Sequence, residues 1–304
     1  MKRKSSYALS VIGFLALAWN TTACSQTPGA SAPIVRVFDF DNQQGPATLA
    51  HDSAEVTIQA DVDATDPYLA DYRAIIRIEG FQSFILDIGK LNEGTTIGVG
   101  IGKLTASDKT PSILIDSFSG GAHCCALLSV VTVSAGRLKT IELPGVDGEP
   151  DHKFPADLDG DGSRDFVSQD DSFLYQFGSY ASSYSPPRVF NIYKGALVDV
   201  SSEPGFRVLW ERFAAKTKVA CANRADTDRN GACIAYLAAE ARLGRFEQAF
   251  PLVGNLAYAG PQAQYPSGCK VALVDYVCPK GQEIEFHSFG PAARWLLKSA
   301  GYIE

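Results

Sequence analysis

The chain has 304 residues, and its 27 Lys and Arg stand against 34 Asp and Glu, a formal charge of −7 at pH 7. A surface of that sign repels nucleic acid and anionic lipid head groups and suits divalent cations or cationic partners. The length is enough for one large or two ordinary domains with real cores.

Lys2, Arg3 and Lys4 open the chain, an apolar run follows from about Tyr7 to Trp19, and small and polar residues lead to Ala23 and Cys24. These are the three parts of a secretory signal, whose apolar stretch is too short to stay in a bilayer as a spanning helix. Residues 1–23 are therefore expected to be a signal peptide. Cys24 directly after Ala23 resembles the lipobox of bacterial lipoproteins, although Thr21 stands where that pattern ordinarily carries a branched aliphatic residue. Parity favours lipidation at Cys24: the chain has seven Cys, and the others can then pair in an oxidising compartment without an odd thiol. Without its first 24 residues the chain has 24 Lys and Arg against 34 Asp and Glu, a formal charge of −10. The expected location is the periplasm or the outer membrane, lipid-anchored, with secretion as the alternative. Membrane contact is expected only through Cys24.

Residues 24–33 are small and Pro-containing and read as a tether. Short segments rich in Val, Ile, Phe, Tyr and Thr follow, among them Ile34 to Phe38, Ala54 to Val62, Tyr72 to Ile78, Phe84 to Ile88, Thr96 to Ile101, Ser112 to Ile115, Ala126 to Val133 and Leu138 to Leu143. Gly, Asp, Asn and Pro separate them, so they read as strands of a sheet domain. Asp116 and Asp157 open two stretches that echo each other weakly, at a spacing like that of one propeller blade. Beyond Phe213 the texture becomes helical, with apolar residues at helical spacing over Gly231 to Phe250 and a second helix over Pro291 to Ala300. The expected fold is α+β: a mainly β domain over 34–210, of propeller-like or sandwich sheets, then a smaller α-helical, disulfide-braced domain over 211–304. Local pairing of Cys221 with Cys233 and Cys269 with Cys278 needs the fewest assumptions. Cys124 and Cys125 are expected to be oxidised, to each other or to separate partners.

The most informative motif is Asp157-Leu-Asp159-Gly-Asp161-Gly162-Ser163-Arg-Asp165. Carboxylates at alternate positions converge on a hard cation, the glycine permits a sharp turn, Ser163 offers its carbonyl, and Asp165 adds a further oxygen. Without a cation these carboxylates repel one another. Position 12 is Ser168 rather than Glu, and Phe166-Val167 reads as a strand, so the loop is no EF-hand. It resembles the FG-GAP or VCBS-type repeat, whose signature is Asp-x-Asp-x-Asp-Gly-x-x-Asp followed by an apolar strand. That resemblance covers about 30 residues and implies calcium in the loop of a β-propeller blade and a binding or adhesive role. Asp226-Thr-Asp228-Arg-Asn230-Gly231 repeats half of the pattern but lacks oxygen ligands at Ile234 and Leu237, and reads as a helix N-cap.

No catalytic constellation is visible. Gly120-Gly121-Ala122-His123-Cys124-Cys125 resembles an element of uncharacterised bacterial envelope proteins, and neighbouring residues on a strand face opposite sides, so His123 would not serve Cys124. His51, His152 and His287 stand alone, and Glu283 with Glu285 reads as a solvated strand face. The Tyr/Ser-rich stretch Tyr175 to Tyr184, with Phe177 and Tyr180, is either an aromatic platform for sugar or peptide or a surface loop. The expected function is a calcium-binding exported envelope protein with a binding or structural role toward an envelope protein or glycan. The alternative is an extracytoplasmic hydrolase with a structural calcium.

Overall fold

The structure, a computed structural model, describes residues 31–304 apart from 41–44, 64, 67, 93–94, 121–123, 273 and 275–276. The signal segment, Cys24, most of the tether, His123 and the side chain of Cys124 lie outside the described residues.

Period-two alternation builds the first sheet from β2 (Ala47–His51), β3 (Ala54–Val62), β4 (Leu69–Ile78) and β5 (Phe84–Asn92), all antiparallel in that order. Val56, Ile58, Ala74 and Ile76 point inward from its middle strands and are fully buried. A second sheet contains β1 (Ile34–Asp39), β6 (Thr96–Gly102), β7 (Ser112–Phe118), β8 (Cys124–Ser134) and β10 (Val146–Asp147) in the order β1-β6-β7-β8-β10, with β9 (Arg137–Glu142) also on β8. Its Ile97, Val99, Ile101, Ile113, Ile115 and Val131 share one apolar core with the first sheet. Stacking of this kind is the sandwich arrangement among the two expected, in which two inner faces interdigitate.

β6 is buried on both faces. Ile97, Val99 and Ile101 face the first sheet, while Gly98, Gly100 and Gly102 alternate with them on the outer face. There the glycines admit the segment 152–154: a Cβ at Gly100 would stand 3.1 Å from a Phe154 ring carbon, and one at Gly102 2.8 Å. A glycine inside a strand marks such close approach.

Beyond that outer face lies a third antiparallel sheet of β11 (Phe166–Gln169), β12 (Pro187–Tyr193) and β13 (Ala196–Asp199). Phe166 and Phe190 pack with Leu104, Leu114 and Val130 in a second core between the sheets. The other face of β12 carries Val189, which joins Phe173, Phe177, Val200 and the helices in a third core. The helices are α1 (Arg207–Ala222), α2 (Asn230–Arg242), α3 (Phe246–Leu256) and α4 (Phe289–Ser299). The helical core thus takes in residues from well before position 210, and Trp210 is tied to the sheet layer by its indole N–H donating to the Ser201 carbonyl at 2.8 Å. A short pair, β14 (Gly268–Cys269) with β15 (Glu283–Ile284), lies between α3 and α4 in sequence.

Three sequence expectations need correction. The helix read over 231–250 is two: α2 stops at Gly244, whose φ is +73°, with Gly244 N–H donating to Ala241 and Arg245 N–H to Glu240, a Schellman closure. Asp228 does not cap α2; it accepts from the Ser179 amide and hydroxyl, while the Asn230 amide exchanges hydrogen bonds with the backbone of Tyr258. The echo between Asp116 and Asp157 is not structural, since Asp116 lies within β7 and Asp157 in a turn.

Cys221 and Cys233 form a fully buried disulfide between α1 and α2, and Cys269 pairs with Cys278. Cys125 is also disulfide-bonded.

Candidate functional site

The acidic turn leaves the outer layer between Ala156 and Phe166, where it is held at both ends. Asp165 N–H donates to Ala156 O at 2.7 Å, and Arg164 N–H donates to Leu104 O at 2.9 Å. Inside it, Asp157 accepts from the amides of Gly160 and Gly162 at 2.7 and 3.0 Å, and those glycines have φ of +82° and +92°. This left-handed geometry is the reason for glycine at both positions. Asp165 is buried at 2 % exposure and accepts from Leu158 N–H and the Asn191 side-chain amide at 2.6 and 3.1 Å.

These contacts bring oxygens of Asp157, Asp159 and Asp165 within 4.8 Å of one another, the only group of three or more potential metal-binding side chains among the described residues. Oxygens so spaced can surround a cation at the roughly 2.3–2.6 Å of calcium coordination. Burial, with the charges of Asp159 and Asp161, pushes the Asp165 carboxyl above its ordinary range against the hydrogen bonds it accepts. Asp161 lies outside the cluster, with its carboxylate accepting from Ser163 N–H at 2.6 Å, and Ser163 bridges to Thr105 through its backbone. The donor set is all oxygen, the chemistry that calcium takes.

A second constellation escaped sequence reading. His152 Nδ1 lies 2.6 Å from Asp116 Oδ1, and its Nε2 is 3.4 Å from Thr96 Oγ1. Asp116 projects from the middle of β7, opposite Gly98 on β6, where a Cβ would stand 2.6 Å from His152 Nδ1 and collide with the carboxylate. Burial raises the Asp116 carboxyl, opposed by the hydrogen bond from His152 and by the amides of Gly98 and His152. His152 holds a φ of +48°, a conformation that costs a non-glycine residue and that persists only where surroundings enforce it. The alternate glycines of β6 were the available signal.

A cavity of about 500 Å³ adjoins both features, and its lining includes Asp116 and His152 as well as Asp165, Phe166 and Gln169. The aromatic stretch lies elsewhere. Phe177 is core, packed on Phe289 and Tyr265, whereas Tyr175 and Tyr180 pair at 5.6 Å with Tyr175 exposed.

Residues 210–301 match the family model described as the sll0997 C-terminal domain. The chain is 27 % identical, over 98 % of its length and 96 % of the relative's, to a "Probable thylakoid lumen protein sll0997" of a Synechocystis strain. It is 31 % identical over 64 % of its length to "Uncharacterized protein y4bJ" of Sinorhizobium fredii, of which the alignment spans 30 %. No solved structure matches. The matched segment opens at Trp210 within α1 and closes just after α4, so the likeness to the family covers the helical layer.

Proposed function

We propose that this extracytoplasmic chain is a binding or structural module of the cell envelope whose FG-GAP/VCBS-type turn holds a calcium ion. The observation that carries the reading is the convergence of Asp157, Asp159 and the buried Asp165 on one point. Export is supported by the oxidised cysteines, which persist outside reducing compartments, and by likeness to a relative described as lumenal. Lipidation at Cys24 would make the anchor, and an envelope protein or glycan the partner. Calcium at the roughly 10⁻⁴–10⁻³ M affinity of extracellular modules stabilises the folded state by mass action. Calorimetric titration of the purified protein tests it: saturable binding with a rise in melting temperature, both lost in Asp159→Ala, is expected. No heat of binding up to about 10 mM calcium would sink the reading.

A second reading, a hydrolase with structural calcium, gains the Asp116–His152 pair beside a cavity. Asp116 holds the imidazole at Nδ1 as an orienting carboxylate does, and Nε2 faces the Thr96 hydroxyl at 3.4 Å, longer than the roughly 2.6–3.2 Å of a base on its nucleophile. Turnover of p-nitrophenyl esters lost in both His152→Gln and Thr96→Val would favour it; activity unchanged in both would dismiss it.

A further inference from the structure

The cavity is preformed. One part of its wall, the strap from Glu149 to Phe154, is fastened to the second sheet twice, by His152 on Asp116 and by Phe154 on the glycines of β6. Its volume of about 500 Å³ falls within the roughly 300–1,000 Å³ that encloses small ligands. Leu128, Leu143, Phe154 and Phe166 supply apolar wall. The charges along it are unbalanced. Lys153 is paired with Asp151 at 2.8 Å, whereas Asp147 and Glu149 have no ion pair among the described residues. Asp147 Oδ1 is moreover buried without a hydrogen-bond partner. Carboxylates set against low-dielectric walls concentrate cations and repel anions.

We propose that this cavity binds a small organic cation, an apolar body carrying an ammonium head. The walls take the body and the head lies toward Asp147 and Glu149. An anion of the same shape meets the same walls but an adverse field. None of this uses the acidic turn as a metal site, so the proposal stands apart from the calcium reading.

Fluorescence titration with two probes of one fluorophore tests it: dansylcadaverine, which bears an ammonium, and dansylglycine, which bears a carboxylate. The ammonium probe should saturate with a blue shift and bind about tenfold tighter than the carboxylate probe. Glu149→Lys, at an exposed position, should cut that ratio about threefold or more without moving the melting temperature. Ala126→Phe, which places a ring in the cavity, should abolish binding; should that variant fail to fold, Glu149→Lys carries the test. Equal binding of both probes would overturn the ligand class, and no saturable binding of either would overturn the site. Asp165 touches both the cavity and the acidic turn, so the ratio is read in EDTA and in calcium; the ammonium probe should be the tighter one in both, and failure of the metal site leaves that result intact.

Discussion

Gly205 is pressed so closely on Asp159 that a Cβ there would stand 2.6 Å from both the Cβ and Oδ2 of the aspartate. The acidic turn is therefore seated against the residues that lead into α1, and one ligand of the proposed ion is positioned from outside its own loop. Gly205→Ala should push the Asp159 carboxylate aside and weaken calcium binding about tenfold, the loss of one imperfectly placed ligand, measured by calorimetry. Retained affinity would mean that the turn positions Asp159 by itself.

Gly98→Ala should force Asp116 and His152 apart. Overpacking of this kind costs about 1–3 kcal/mol. Denaturant unfolding should show the loss, and hydrogen exchange should show the strap around His152 opening first. Gly98→Ala with parental stability and protection would mean that the strap shifts freely.

Asp171 gives a pH dependence of defined sign. Burial, then the charges of Asp147 and Asp170, raise its carboxyl above the ordinary range against the amide hydrogen bond from Asp147, and its Oδ1 has no partner. The folded chain therefore holds this proton more tightly than the unfolded one. Stabilisation is fully present below the unfolded value of about 4 and is lost as pH rises through the raised value. Asp171→Asn, which removes the charge, should melt about 2–3 °C higher than the parent at pH 7 and lose that advantage near pH 4. An advantage that does not change with pH would assign the effect to packing.

The buried disulfide Cys221–Cys233 closes a short loop between α1 and α2. Its removal by paired Cys→Ala should cost about 2–4 kcal/mol, read from chemical denaturation. Because both sulfurs belong to fully buried residues, reductant should act on the folded protein only as fast as the helical layer opens.

Much of the sheet architecture was legible locally because alternation is a local property. Ala54–Val62 is a strand as read, and strands near 72–78, 96–101 and 126–133 came out with modest changes at their ends. The acidic turn was legible for the same reason, since its carboxylates lie within nine residues, although Asp161 turns to the Ser163 amide instead of the cluster. The Asp116–His152 pair spans 36 positions and leaves no periodic trace, so only packing reveals it. Phe177 was misleading because an aromatic residue among serines and tyrosines looks like surface until the helices cover it. The break at Gly244 was written in the sequence, yet the apolar spacing continued across it and favoured one long helix.

Val189 and Phe190 stand back to back on β12, one in the helical core and one in the core between sheets. The small sheet is thus a party wall shared by two households, and neither can be moved out intact. The stretch that matches the family model begins at Trp210, while the floor on which its helices rest begins with Phe173. A recombination that cut at the boundary of resemblance would deliver helices without foundations. A host can receive this block only if it already supplies a sheet to receive Trp210, or if the exchange carries β12 and β13 along with it.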